Sequence, residues 1–134
     1  LAYARLQATL GDLDAAERAL AALPLEEQNK PEVAGIRARL VFDQAISGAD
    51  DEATLQQRLQ QSADDSEALY QLAAYRVTDG DYEAALQRLL QLMQKDRAYD
   101  DDAARKGMLA VFEILGGSGE LVARYRNRMF NALH

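Results

Sequence analysis

Turns that contain glycine recur along the chain at nearly equal distances. They are centred on Gly11, Gly48, Gly80 and Gly117, which lie 37, 32 and 37 residues apart. Each turn separates two segments whose apolar residues recur at the spacing of one helix face. A period of about 35 residues with one helical hairpin per unit is typical of helical solenoids. The sequence therefore predicts an all-α, right-handed solenoid of about four helical hairpins, or eight helices.

The apolar pattern also places the individual helices. The first three cover residues 1–10, 14–23 and 31–47, with a polar linker at 25–30. A Gln-rich helix follows the turn at 48–51, and a fifth runs from the acidic start at 64–66 to the turn at Gly80. The last three cover residues 82–95, 100–115 and 119–133. Alanine occurs 25 times and leucine 20, against 11 for valine, isoleucine and threonine together, which favours helices over strands.

In the third helix the apolar residues keep helical spacing, at Val33, Ile36, Leu40, Val41 and Ala45.

The charge of the chain limits its partners. The net charge is −7, which argues against a nucleic-acid partner because such surfaces need basic side chains to replace condensed counterions. Residues 1–102 carry 10 basic and 20 acidic side chains, whereas residues 103–134 carry 5 and 2. This basic C-terminal quarter either pairs with its acidic neighbours or forms a docking surface. No apolar run approaches the roughly 20 residues that span a bilayer, so we expect no membrane partner.

The residue types that most catalytic and metal sites need are scarce. Cysteine is absent, which excludes a thiol nucleophile and the usual zinc site, and the only histidine is the terminal His134. The acidic runs at 64–65 and 100–102 lie at predicted helix starts, where capping explains them. Residues 117–119 read as a helix-hairpin turn rather than a dinucleotide loop, because no strand precedes them. We therefore expect no enzyme activity, no catalytic residue, no metal and no cofactor.

Residues 66–93 resemble a tetratricopeptide repeat. The resemblance rests on Leu69, the pair Leu72-Ala73, the turn Gly80-Asp81-Tyr82, and Ala85 with Leu86. Ala73 and Ala85 stand where paired helices approach so closely that a longer side chain would separate them. Residues 3–16 repeat this pattern about two periods earlier, and residues 109–117 repeat it more loosely.

Residues 101–134 resemble the C-terminal end of bacterial YbbN-type proteins, or chaperedoxins. The matching residues are 104–106, Phe112 with 115–116, 125–126, 129–130 and Leu133, whereas His134 departs from a position that is commonly aromatic. The resemblance implies a cytoplasmic co-chaperone that holds unfolded clients, passes them to the GroEL and DnaK systems, and docks on the chaperonin through its last helix. It also implies that residues 1–134 are one domain of a longer chain, whose N-terminal thioredoxin-like domain is absent here.

The last helix carries more apolar side chains than one narrow face needs. Val122, Tyr125, Met129 and Leu133 share a face that can cover the preceding helix, and Phe130 points roughly 100° away from Met129. Phe130 either folds back onto its own repeat or contacts a partner. The candidate docking residues of this helix are Arg124, Tyr125, Arg126, Arg128, Met129, Phe130 and Leu133.

A second candidate surface is the concave face lined by the first helix of each hairpin. In the best repeat it would carry Glu67, Tyr70, Ala74, Val77 and Thr78. Asparagine occurs only at positions 29, 127 and 131, so a Lys and Asn clamp for a C-terminal carboxylate is not expected. An acid-rimmed, modestly apolar groove instead suits basic unfolded segments.

The sequence and its resemblance together predict a non-enzymatic protein–protein interaction domain of a thioredoxin-like co-chaperone. Two alternatives stay open. One is a structural module that dimerises or spaces another domain, and the other is an accessory that positions substrate for an upstream redox domain.

Overall fold

The computed structural model of the chain describes residues 13–133. Within this range it contains α-helices and no strand, which confirms the all-α, helical-hairpin prediction. The helices are α1 (Leu13–Ala21), α2 (Leu25–Gln28), α3 (Pro31–Ile46), α4 (Glu52–Gln61), α5 (Ser66–Thr78), α6 (Tyr82–Lys95), α7 (Ala103–Ile114) and α8 (Glu120–Leu133). Seven of the eight predicted helices fall in this range, and all seven are present. The predicted helix at 1–10 and the turn at Gly11 lie outside the described residues.

The short helix α2 stands where the sequence predicts a polar linker. The carbonyl of Pro24 accepts hydrogen bonds from the backbone N–H groups of Glu27 and Gln28, at 2.9 and 3.0 Å. The side-chain amide of Gln28 also donates to the carbonyl of Leu23, at 2.7 Å. The prediction of a linker is wrong here because a helix of one turn is too short to show an apolar period.

Three helices begin with an aspartate whose carboxylate satisfies a free backbone N–H of the first turn. The caps are Asp51 with Thr54 N at 2.8 Å, Asp65 with Ala68 N at 3.1 Å, and Asp81 with Ala84 N at 3.2 Å. The acidic start predicted for α5 is thus confirmed.

The acidic run before α7 forms a turn and does not cap the helix as predicted. Asp100, Asp101 and Asp102 have φ angles of 46, 57 and 62°, and Asp102 makes no side-chain hydrogen bond to the helix. Aspartate tolerates this left-handed conformation better than most residues with a side chain. The carboxylate of Asp101 lies 2.8 Å from the ammonium of Lys106. These residues therefore shape the turn that leads into α7, and the prediction that they cap the helix is wrong.

Helices α5 and α6 form a hairpin, and α7 packs against α6. Ala73 and Ala85 are fully buried, as the repeat pattern predicts. A close approach that the sequence analysis missed occurs at Gly107 of α7, where a Cβ would lie 3.0 Å from Cδ2 of Leu89 on α6. The two helices therefore meet at a position where only glycine fits without movement of the leucine.

Helix α3 packs against both α5 and α7, so it lies across two later hairpins rather than beside one neighbour. Its buried aromatic residue is Phe42, whereas Val41 is 46% exposed. Val41 keeps the helical spacing of the apolar residues but lies outside the buried face, because that face turns toward α5 and α7 and residues 41 and 42 differ by about 100° around the helix axis. The remaining helices pack as α1 on α3, α4 on α5, and α8 on α6.

Candidate partner-binding surfaces

The inner face of α5 is covered by α3 in this structure. Ala74 and Val77, two of the predicted groove residues, are fully buried in the core that also contains Phe42. The ring of Phe42 lies 6.5 Å from the ring of Tyr70, centroid to centroid. The expectation that Ala74 and Val77 line an open groove is therefore wrong, because α3 fills the space that an open array would leave.

The other three predicted groove residues lie at the edges of this contact. Glu67 is exposed at the start of α5, Tyr70 is half-buried, and Thr78 is half-buried at the end of the helix. Burial raises the pKa of the Tyr70 hydroxyl, and the charge of Asp100 raises it further. The structure does not bring these five residues together on one accessible surface.

An open cleft remains between α3 and the C-terminal ends of α5 and α7. Its volume is about 740 Å³. The residues that line it are Pro31, Glu32, Gly35, Ile36, Arg39, Asp43, Thr78, Glu113, Ile114 and Gly116. Of the predicted groove residues only Thr78 belongs to it. The sequence analysis missed the others because they come from helices whose contact no local pattern reveals.

The charged groups of the cleft are mainly acidic. Burial raises the pKa of the Asp43 carboxyl above its ordinary value, although the nearby charge of Arg39 acts in the opposite direction. The guanidinium of Arg39 donates a hydrogen bond of 3.3 Å to the hydroxyl of Tyr82. A carboxylate that is desolvated in this way gains from the approach of a cation.

Helix α8 separates into a buried face and an exposed face. Val122 and Tyr125 are buried, and Met129 and Leu133 pack partly against the same core. Phe130 lies on the other side and is 61% exposed. Of the two alternatives for Phe130, the structure therefore favours an outward-facing side chain.

Tyr125 is a core residue rather than a surface residue. Its side chain is fully buried, and its hydroxyl has no hydrogen-bond partner among the described residues. The expectation that Tyr125 itself contacts a partner is wrong for this structure, because α8 turns that position inward against α6. The spacing of the sequence predicts one packing face for Val122, Tyr125, Met129 and Leu133, and these four residues do pack against the core.

The three arginines of α8 are exposed but held against the domain. Arg126 lies over the ring of Phe112 at 5.5 Å, and Arg128 lies over the ring of Tyr125 at 4.8 Å. Arg124 pairs with Glu83 of α6 at 3.4 Å. Such contacts restrict long side chains while their charged ends stay near solvent.

The described residues form neither a metal-binding cluster nor a membrane-spanning helix. In residues 13–133, no group of three or more His, Cys, Asp or Glu side chains is arranged to hold a metal ion. None of the helices described is both long and apolar enough to cross a membrane. The candidate sites are therefore the cleft and the exposed face of α8.

Comparison with protein families finds matches over two segments of the chain. A tetratricopeptide-repeat family model matches residues 46–134, and a second tetratricopeptide-repeat model matches residues 1–40. A comparison with curated proteins finds no significant match. The first match alone covers more than half of the chain and includes the α5–α6 hairpin on which the resemblance was based. The chain belongs to the tetratricopeptide-repeat family.

Proposed function

We propose that this domain is the interaction part of a thioredoxin-like co-chaperone, which holds unfolded client segments and docks on a GroEL-type chaperonin through α8, with DnaK as a further partner. Tetratricopeptide repeats form protein–protein interaction modules, and this chain is one of them. The finer assignment is supported by the resemblance of residues 101–134 to chaperedoxins. Under this proposal the domain works in the cytoplasm and performs no reaction itself.

The observation that carries the docking proposal is the exposure of Phe130. A phenylalanine that is 61% exposed on a helix with a well-packed opposite face leaves apolar area in contact with water. Aromatic side chains, phenylalanine included, are enriched in protein–protein interfaces. Met129 and Leu133 are partly buried beside it, so a partner that covers Phe130 also contacts their edges.

The positive charge of α8 also supports docking through the exposed face of this helix. Arg126 lies one helical turn before Phe130, on the same side of α8, and its position is restricted by the ring of Phe112. Restricted side chains lose little entropy when a partner binds. An acidic partner surface is therefore the expected complement, and its attraction should accelerate association at low salt.

Capture of the domain by a purified GroEL-type chaperonin tests this proposal. The variant Phe130→Ser removes the exposed ring, and we expect it to weaken capture at least about tenfold. The matched control is Leu25→Ser, because Leu25 is 77% exposed but lies on α2 at the other end of the described chain. Undiminished capture of Phe130→Ser would rule out docking through this face.

The same variant separates the proposal from a structural role. If the domain only dimerises or spaces another domain, the exposed ring would bury against a second copy. Light scattering at several concentrations would then show self-association that Phe130→Ser abolishes, without any binding to the chaperonin. We expect the wild-type chain to bind the chaperonin at concentrations where it remains monomeric.

A further inference from the structure

The cleft beside α3 has the size and shape of a binding site. Its volume of about 740 Å³ falls within the range of pockets that hold small ligands or a few peptide side chains. At Gly35 the backbone of α3 passes close to α7, since a Cβ there would lie 3.8 Å from the carbonyl oxygen of Glu113. The cleft therefore lies where two helices cross, and packed backbone forms one of its walls.

The lining combines an apolar surface with acidic groups. Pro31, Ile36 and Ile114 supply the apolar contacts. Among the described residues, three carboxylates line the same cleft, from Glu32, Asp43 and Glu113, against one guanidinium, that of Arg39. The C-terminal ends of α5 and α7 also meet the cleft, and helix C-termini carry partial negative charge.

Among the described lining residues, Arg39 is the one cation, and it does not neutralise Asp43 and Glu113. Arg39 shares its guanidinium with the hydroxyl of Tyr82. None of the ion pairs among the described residues 13–133 involves Glu113. Burial destabilises the charged form of the Asp43 carboxyl more than the charge of Arg39 stabilises it. The pKa of Asp43 is therefore raised. A positively charged group in the cleft would relieve this imbalance.

We propose that the cleft binds an extended peptide segment in which a lysine or arginine stands next to an apolar side chain. The apolar side chain would contact Ile36 and Ile114, and the cation would approach Asp43 and Glu113. This inference rests on the client-holding part of the proposed function and names the chemistry of the segment that is held. It is independent of α8 and of the chaperonin.

Fluorescence anisotropy with a short labelled peptide tests the site directly. The probe alternates leucine and lysine, and two matched peptides replace either the lysines by glutamate or the leucines by serine. We expect measurable binding of the first peptide only, because the site needs both features. Binding should weaken as salt rises, since part of the attraction is between charges near the surface.

Two double variants show whether the peptide binds the carboxylates of the cleft or responds only to the net negative charge of the protein. Asp43→Asn with Glu113→Gln should weaken binding about tenfold. Asp64→Asn with Asp101→Asn removes the same charge from two exposed positions outside the cleft and should leave binding within about twofold of wild type. Equal losses in the two double variants, or no binding of the leucine and lysine peptide, would overturn the inference.

Peptide binding and capture by the chaperonin are measured separately, so that failure of the cleft proposal can be told from failure of the proposed function. If the peptide binds at the cleft and the chaperonin does not capture the chain, the co-chaperone proposal fails and the cleft assignment stands. If the chaperonin captures the chain and the peptide does not bind, the cleft assignment fails.

Discussion

Phe42 of α3 lies against Tyr70 of α5, with ring centroids 6.5 Å apart and ring planes inclined by 31°. Phe42 is fully buried, and Tyr70 in turn approaches Tyr99, with centroids 6.5 Å apart. Through this contact α3 packs across the inner face of α5 in the α5–α6 repeat. It removes the open groove that the repeat pattern suggests and leaves a cleft at the helix ends instead.

The first prediction concerns Phe42 itself. Phe42→Ala should lower the free energy of unfolding by about 3–5 kcal/mol, because it leaves a cavity between α3 and α5. Urea unfolding followed by circular dichroism measures this change. If the variant does not fold, Phe42→Leu should still show a loss of about 1 kcal/mol.

The matched control for Phe42 is its neighbour Val41, which is 46% exposed. Val41→Ala should change the free energy of unfolding by less than about 1 kcal/mol. Comparable losses at positions 41 and 42 would contradict the described orientation of α3.

The buried hydroxyl of Tyr125 leads to the second prediction. Because this group has no hydrogen-bond partner within residues 13–133, Tyr125→Phe should leave the protein equally stable or raise the free energy of unfolding by about 1 kcal/mol. Capture by the chaperonin should be unchanged, since the residue is not exposed. A clear loss of stability in urea unfolding would show that the hydroxyl is bonded in solution.

The third prediction concerns pH and the ion pair between α4 and α5. Burial tends to raise the pKa of Asp65, but the hydrogen bonds from Arg58, at 2.9 and 3.0 Å, and from the N–H of Ala68 outweigh it and hold this pKa below its ordinary value of 3.8. A lowered native pKa means that the stabilisation is present above pH 3.8 and is lost as the pH falls through the native value. Stability should therefore decline in acid.

The variant Asp65→Asn isolates that charge, because asparagine still caps the helix. Its thermal midpoint should be lower than that of wild type at pH 7, and its stability should depend less on pH between about pH 5 and 2. The exposed neighbour Asp64→Asn should change the thermal midpoint at pH 7 much less. An unchanged acid profile for Asp65→Asn would contradict the role of the pair with Arg58.

Two helical glycines give the fourth prediction. Gly35→Ala places its Cβ at ordinary contact distances of 3.8 and 4.0 Å, so the gain in helix propensity should raise the free energy of unfolding by about 0.5–1 kcal/mol. Gly107→Leu forces atoms against Leu89 and should lower it by about 1–3 kcal/mol. Urea unfolding compares both variants, and a change of the same sign in both would contradict the described helix contacts.

The sequence was sufficient for features that depend on neighbours along the chain. The apolar period located seven helices, and aspartate followed by an apolar run marked the start of α5. Ala73 and Ala85 showed where the helices of one hairpin meet. The sequence predicts such features because the apolar period and the capping residues lie within each helix or directly beside it.

The features that the sequence did not predict depend on distant contacts. The position of α3 across α7 sets which of Val41 and Phe42 is buried, and no pattern within α3 contains that information. On α8 the spacing separates Phe130 from the face of Tyr125, but whether Phe130 folds back or faces outward depends on how α8 packs on α6. The cleft follows from the same long-range arrangement.

The central claim is that this domain presents two separate binding surfaces. Binding of both proposed partners to two surface variants tests it most directly. Anisotropy with the leucine and lysine peptide and capture by the chaperonin would be measured for Phe130→Ser and for Asp43→Asn with Glu113→Gln. We predict that the first variant loses only the chaperonin and the second loses only the peptide. Loss of both partners by either folded variant, or of neither by both variants, would contradict the account.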